Sequence, residues 1–314
     1  GKDALGACTD SEGCTAVGQD ALGLLVSGAD YNTAVGRSAG NGITGDRNTH
    51  LGHWAGIYAT SMDDSIAIGY GALSGVDNYG AASANSTRPT GNQNIAVGNY
   101  ALDATTSGAN NIGIGHLAGS AITDGVSNIA IGTNALDAAN AGENYNIAIG
   151  HDALTSETSG ADGCVAIGTS ALASQNTNSS NNVAVGYQAA LNLNGGTDSV
   201  YVGYKAGGVG VITGDDNVCI GKSAGLNFTS GTANIAIGSL AMDAANGNEH
   251  YNIAIGMNAL GSETSSADGC VAIGYQTLQN QNRDGSSNTA VGYQAGSKIG
   301  SGVTGGRYNT FLGY

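Results

Sequence analysis

One short string, Asn128-Ile129-Ala130-Ile131-Gly132, recurs with small variations along the whole chain. Its glycine falls at Gly1, Gly18, Gly36, Gly52, Gly69, Gly98, Gly115, Gly132, Gly150, Gly168, Gly186, Gly203, Gly221, Gly238, Gly256, Gly274, Gly292 and Gly313. Of the 17 intervals, all but two are 16–18 residues long; the exceptions are 29 and 21. Units this short cannot each enclose a core, so they must bury their apolar residues by stacking on one another. The period runs from end to end, so residues 1–314 are expected to form a single repeat domain. A longer echo lies on top: Gly115–Gly186 maps onto Gly221–Gly292 at an offset of 106 residues. Block duplication of an existing array would produce it.

Each position of the unit has a physical meaning. Three residues before the glycine, every unit has Ile, Val or Thr; one residue before it, every unit has Ile, Val or Leu. Between them stands Ala in 12 of 17 units. Alternation of β-branched and small residues with a period of two describes a short strand. The glycine then bends the chain where other residues resist positive φ. Three residues after it comes Ala in 16 of 17 units, mostly followed by Leu or Gly, as in Gly132 and Ala135. The remainder is Gly, Ser, Asn, Asp and Thr, the chemistry of turns.

One strand per 17–18 residues predicts an all-β parallel β-solenoid of about 17 coils. Stacked at the strand spacing of about 4.8 Å, they would make a rod of roughly 80 Å. The two aliphatics of each unit, Ile129 and Ile131 in the example, are expected to form the core column. The small residue between them is then expected to face outward. An outward column of Ala would suit the close approach of another surface, and identical chains around an axis would cover it along its length. Four residues before the glycine stands Asn in 12 of 17 units, Ser in two and Cys in three. A column of Asn amides can hydrogen-bond from coil to coil, so Asn128 and its equivalents are expected to form a structural ladder.

At this point a resemblance can be stated. The unit Asn-Ile-Ala-Ile-Gly-x-x-Ala-Leu resembles the head repeat of trimeric autotransporter adhesins, the YadA-like β-roll. The variants Asn309-Thr310-Phe311-Leu312-Gly313-Tyr314 and Asn288-Thr289-Ala290-Val291-Gly292-Tyr293 are similar to repeats of phage tail fibres. The resemblance covers the whole chain, although the units here run a few residues longer than in that family. It implies a left-handed β-roll, homotrimeric assembly, an adhesive role and an extracellular position on a cell surface or a virion fibre. Residue 1 is Gly rather than Met, so the chain is expected to be a piece of something longer.

Composition narrows the partners. With 9 Lys+Arg against 24 Asp+Glu, the net charge is −15, the wrong sign for a nucleic-acid backbone or an anionic lipid surface. No apolar run approaches the roughly 20 residues of a membrane-spanning helix, so no membrane insertion is expected.

Catalytic and metal motifs fail on inspection. Gly221-Lys222-Ser223 ends like a phosphate-binding loop, but Asp216 occupies the place of its first glycine. His50 and His53 straddle a motif glycine and should face different ways, which argues against a zinc site. The loop carboxylates Asp63-Asp64 and Asp215-Asp216 lack the calcium-roll nonapeptide. Cys14, Cys164 and Cys270 share one repeat position and lie many coils apart, whereas Cys8 and Cys14 could close a small loop. No enzyme activity, cofactor or metal is expected.

Binding is expected at two places. The position after the motif glycine holds Tyr70, Tyr187, Tyr204, Tyr275, Tyr293 and Tyr314, with cations at other coils. Such a column could stack against sugar rings, or serve only as an aromatic ladder at a corner. The longest interval inserts a segment at about 77–91, including Tyr79, Arg88 and the only proline, Pro89. Long loops on rigid scaffolds often carry function. The expected role is a non-enzymatic adhesive or receptor-binding fibre segment, taking a cell-surface glycan or protein receptor. The alternative is a purely structural spacer of an extracellular fibre.

Overall fold

The computed structural model of the chain describes residues 1–7, 10–25, 28–75, 88–138, 142–156, 160–175, 179–208, 210–244, 249–262, 267–280, 286–299 and 306–314. Among them are seventeen strands of three residues each and no helix. Every strand is the tripeptide before a motif glycine. By density of contacts the chain divides into two compact units, Gly1–Asp162 and Gly163–Tyr314. The first holds eight strands, from β1 (Thr15–Val17) to β8 (Ile147–Ile149); the second holds nine, from β9 (Val165–Ile167) to β17 (Thr310–Leu312).

Within each unit, consecutive strands pair in parallel and in register. Thr15 lies opposite Thr33 in the first unit, and Ile129 opposite Ile147. Val183 lies opposite both Val165 and Val200 in the second. Each unit is therefore a parallel β-solenoid, with one strand per coil. Hydrogen bonds between coils continue past the strand: Gly150 N–H donates to Ile131 O at 2.8 Å, and Leu136 N–H donates to Ala153 O at 3.0 Å.

Several positive-φ positions wind the coil, and two of them shape its interior. The motif glycine turns the chain at a φ that side chains resist, +132° at Gly132. A Cβ there would also stand 2.7 Å from the Gly150 carbonyl carbon of the next coil, inside any real contact. Four residues later the chain takes a left-handed conformation at a leucine, with φ +51° at Leu136 and Leu102. Such a residue costs about 1–2 kcal/mol. Leu136 and Leu102 are completely buried, and burial of a leucine returns roughly 1.5–3 kcal/mol. The left-handed turn also aims the leucine N–H along the stack, where it meets the next coil's carbonyl.

The orientation expected from the alternation is reversed. The middle residue of each strand faces inward: Ala130, Ala148 and Ala236 have no exposed surface. The flanking aliphatics face outward, with Ile114 39% exposed, Leu51 46% and Val17 57%. Ile129 and Ile131 are half-buried on the outer face rather than in the core. The reason is the leucine after the Ala of the turn, which fills the interior. Leu102 lies so close to the next strand centre that a Cβ on Gly113 would meet its Cγ at 2.8 Å. An interior already holding a leucine from the turn accepts only a small residue from the strand.

The exceptions obey the same volume rule. Where the turn has Gly in place of Leu, a larger residue can occupy a strand centre beside it. His50 fills the space beside Gly40 and Gly56, Tyr201 the space beside Gly207, and Cys219 the space beside Gly225. His50, Tyr201 and Cys219 are all fully buried. In the longest interval the chain is back in the stack by Pro89, whose carbonyl accepts from Thr60 N–H at 2.8 Å, and Thr90 N–H donates to Thr106 O at 2.6 Å.

The asparagine ladder is present. Asn111 N–H donates to Asn94 Oδ1, Asn128 N–H to Asn111 Oδ1 and Asn146 N–H to Asn128 Oδ1, each at 2.9 Å. All four residues are fully buried. Each side-chain amide also ties down its own coil, as when Asn128 Nδ2 donates to Glu143 O at 2.8 Å. Asn234 makes the equivalent bond to Glu249 O at 2.7 Å, so the detail repeats at the 106-residue offset.

Candidate functional site

Three kinds of surface are left once the core and the ladder are accounted for. The first is the outward aliphatic face of the strands. The second is an acidic edge in the first unit, where Asp30 N–H donates to Asp46 Oδ1 at 2.8 Å and Asp46 N–H to Asp63 Oδ1 at 2.7 Å. Coil-to-coil donation by the backbone stabilises these like charges one above another. Arg47 answers them: its Nε donates to Asp64 Oδ1 at 2.6 Å and its Nη2 to Asp64 Oδ2 at 3.1 Å. The Arg47 guanidinium holds the Asp64 carboxyl below its ordinary pKa, and Asp64 raises that of Arg47. Among the described residues no three His, Cys, Asp or Glu side chains are placed to hold a metal.

The third surface is aromatic, at the corner after the motif glycine. The tyrosines expected there do not form one column. Tyr187 and Tyr204 stack at 5.5 Å between centroids with planes 10° apart. Tyr275 stacks on Tyr293 at 5.0 Å and 23°, and Tyr293 on Tyr314 at 5.4 Å and 8°. Lys205 lies 5.5 Å from the Tyr204 ring centroid. In these near-parallel stacks the ring faces meet one another, and the edges point outward. They form ladders along the coil corner.

Tyr70 belongs to a different arrangement. It lies 5.3 Å from His53 with planes at 82°, 5.5 Å from Trp54 at 51°, and 5.3 Å from Tyr100 at 75°. His53 and Trp54 are 4.3 Å apart at 41°. None of these rings is parallel to its neighbour; each meets the next tilted or edge to face, and all four are partly exposed. His53 and Tyr70 occupy the position after the motif glycine; Trp54 and Tyr100 occupy the next one. Between Trp54 and Tyr100, that second position holds Gly71, and a Cβ there would meet the Tyr100 ring at 3.0 Å. The glycine makes the room in which Tyr100 lies down. Partial desolvation, then a hydrogen bond to Tyr70, raises the Tyr100 phenol above its ordinary pKa. Desolvation and the positive charge of Arg37 lower the His53 imidazole.

Sequence reasoning found Tyr70 but missed Trp54 and Tyr100, because it followed a single column. The signal was the glycine at position 71, where other coils carry larger residues. Arg88 lies over the Tyr58 ring at 5.9 Å from its centroid. Tyr79 lies outside the described residues, as does Cys8. His50 and His53 do face opposite ways: His50 is sealed in the core and His53 sits at the half-exposed corner. Cys14, Cys164, Cys219 and Cys270 form no disulfide among the described residues, and burial pushes the Cys219 thiol up.

Compared with known proteins, the chain matches no family model and no curated sequence. What the geometry defines is a class, the parallel β-solenoid with one strand per coil.

Proposed function

We propose that the chain is a non-enzymatic, adhesive segment of an extracellular fibre, built from three copies whose aliphatic strand faces pack together. The observation that carries this reading is the outward face of Ile and Val. Two such residues stand on twelve of the seventeen strands, and the column is far more apolar than a water-facing sheet needs to be. A second copy of the same periodic face offers a matching row of side chains in the same spacing, so association extends along the stack instead of stopping at a patch. Three copies, a left-handed roll and the adhesive role follow from the resemblance to YadA-like heads. The aromatic and polar corners remain outside such a bundle, where repeated copies multiply a weak contact.

The test is the native mass of the full chain, alongside binding to cultured cell surfaces. The expected mass is three times 30.8 kDa. Ile131→Asp together with Ile149→Asp should lower it to that of one chain while the β signature in circular dichroism persists. A monomeric mass for the unaltered chain overturns the assembly. A trimer that adheres to no surface leaves the spacer reading in its place.

A further inference from the structure

We infer that His53, Trp54, Tyr70 and Tyr100, with Arg37 beside them, form a binding site for a carboxylate-bearing saccharide. The inference rests on the adhesive reading and supplies its ligand class.

The four rings gather across three successive coils, those of Gly52, Gly69 and Gly98. The outer two coils are about 9.6 Å apart at two strand spacings, a span that accommodates more than one sugar ring. The rings are tilted or edge-on to one another. A pyranose presents a face of C–H groups that packs on an aromatic face, with hydroxyls around its rim. Tilted, partly exposed rings spread over three coils can offer such a face.

The site is built, and is not an accidental gathering of large side chains. Gly71 clears the space for Tyr100. Trp54 takes the left-handed conformation, φ +62°, that this repeat position also takes at Ser38 and Tyr100, and its backbone N–H donates to Arg37 O at 3.2 Å. His53 Nε2 is closed off from water and has no hydrogen-bond partner among the described residues. Such an atom is costly to leave unmet, and side-chain movement that opens it to a ligand hydroxyl would relieve that cost.

Arg37 sets the charge of the ligand. It occupies the same repeat position as His53, one coil earlier, and its side chain is exposed. It enters no ion pair among the described residues, whereas Arg47 is held by Asp64. An unpaired guanidinium near enough to His53 to lower its imidazole suits a planar carboxylate that it can grip with two N–H groups.

Trp54 is the only tryptophan, so fluorescence excited beyond the tyrosine absorption band reports on this site alone. The full chain is titrated with tetragalacturonate and with 3′-sialyllactose, and in parallel with the neutral maltotetraose and lactose. A decaproline peptide is run as the competing aromatic-binding chemistry. At least one acidic sugar should change Trp54 emission saturably, at least tenfold more tightly than its neutral counterpart. Arg37→Ala should erase that difference, and Tyr100→Ala should weaken acidic binding at least tenfold. Should Tyr100→Ala fail to fold, Tyr70→Leu serves the same purpose. The inference is overturned if neither acidic sugar gives a saturable change, if a neutral sugar binds as tightly, or if only decaproline saturates. These outcomes are independent of the native mass, so a trimer that binds no acidic sugar separates failure here from failure of the fibre reading.

Discussion

Asn128 contacts Asn111 twice: its backbone N–H donates to Asn111 Oδ1 at 2.9 Å, and its side-chain Nδ2 donates to the same oxygen at 3.1 Å. One acceptor thus fixes both the height and the register of the next coil. The third bond from Asn128, to Glu143 O, closes the coil on itself. The residue works as a spacer between coils and a clasp within one.

Replacing it tests the ladder. Asn128→Ala strips the acceptor from Asn146 N–H and the donor from Glu143 O, in a fully buried place. The expected loss is about 2–4 kcal/mol, for two orphaned buried groups. Asn128→Ser should lose less, because Ser65 Oγ already accepts from Asn94 N–H at 3.1 Å and Ser199 Oγ from Asn217 N–H at 3.0 Å. Urea unfolding of the two variants checks the order.

Gly132→Ala should cost more than about 3 kcal/mol, since strain at φ +132° adds to a collision with the next coil's backbone. Gly142→Ala is the control. Its φ is +99°, but nothing lies within 4 Å of its added Cβ, so only the backbone strain remains, about 1–2 kcal/mol. Thermal denaturation should rank the two clearly.

The volume rule predicts a rescue. Tyr201→Ala alone leaves a cavity and should cost about 3–5 kcal/mol. Gly207→Leu alone drives a side chain into the Tyr201 ring. The double variant rebuilds the Ala–Leu combination of Ala130 and Leu136, and φ +73° at Gly207 is within the left-handed region that those leucines adopt. A double-mutant cycle should show recovery of at least half the loss; simple addition of the two costs would refute the rule.

His50 predicts a pH dependence. Burial lowers its imidazole to about 4, and neither ring nitrogen has a hydrogen-bond partner. The unfolded chain takes up the proton near pH 6.5, the folded chain only near pH 4. Stability is therefore unaffected by this group above pH 6.5 and falls between pH 6.5 and 4, by up to about 3 kcal/mol. His50→Leu should remove that share of the acid sensitivity and raise stability at pH 8 by about 1–3 kcal/mol, as two unmet polar atoms leave the core. Parallel denaturation curves of the two chains between pH 8 and 4 would contradict this.

Asp103 titrates in the opposite sense. Desolvation raises its carboxyl to about 7 despite hydrogen bonds from the backbone N–H groups of Asp103 and Ala104. A raised folded-state value favours the protonated acid, so its contribution is complete below the unfolded value of 3.8 and is lost as pH rises toward 7. Asp103→Asn keeps an acceptor for the same N–H groups and removes the charge. It should stabilise the chain above pH 7 by a few kcal/mol, about 4 at most, and change little at pH 4. Melting temperatures at the two pH values decide it.

The periodic sequence was enough to determine the one-strand coil, the glycine corner, the Asn ladder and the in-register stacking. These depend on local geometry repeated at a constant interval: Asn128 lies above Asn111 because both precede their glycines by four residues. Which side of the strand is the inside was decided only by tertiary structure. Alternation places Ala130 and Ile131 on opposite faces but is silent about which face is covered. Leu136 settles it, by entering the interior from a left-handed turn and leaving room for nothing larger than alanine beside it. The aromatic cluster needed the fold for a similar reason. Trp54, Tyr70 and Tyr100 stand in different coils and different columns, and only the stacking, with the gap at Gly71, brings their rings together.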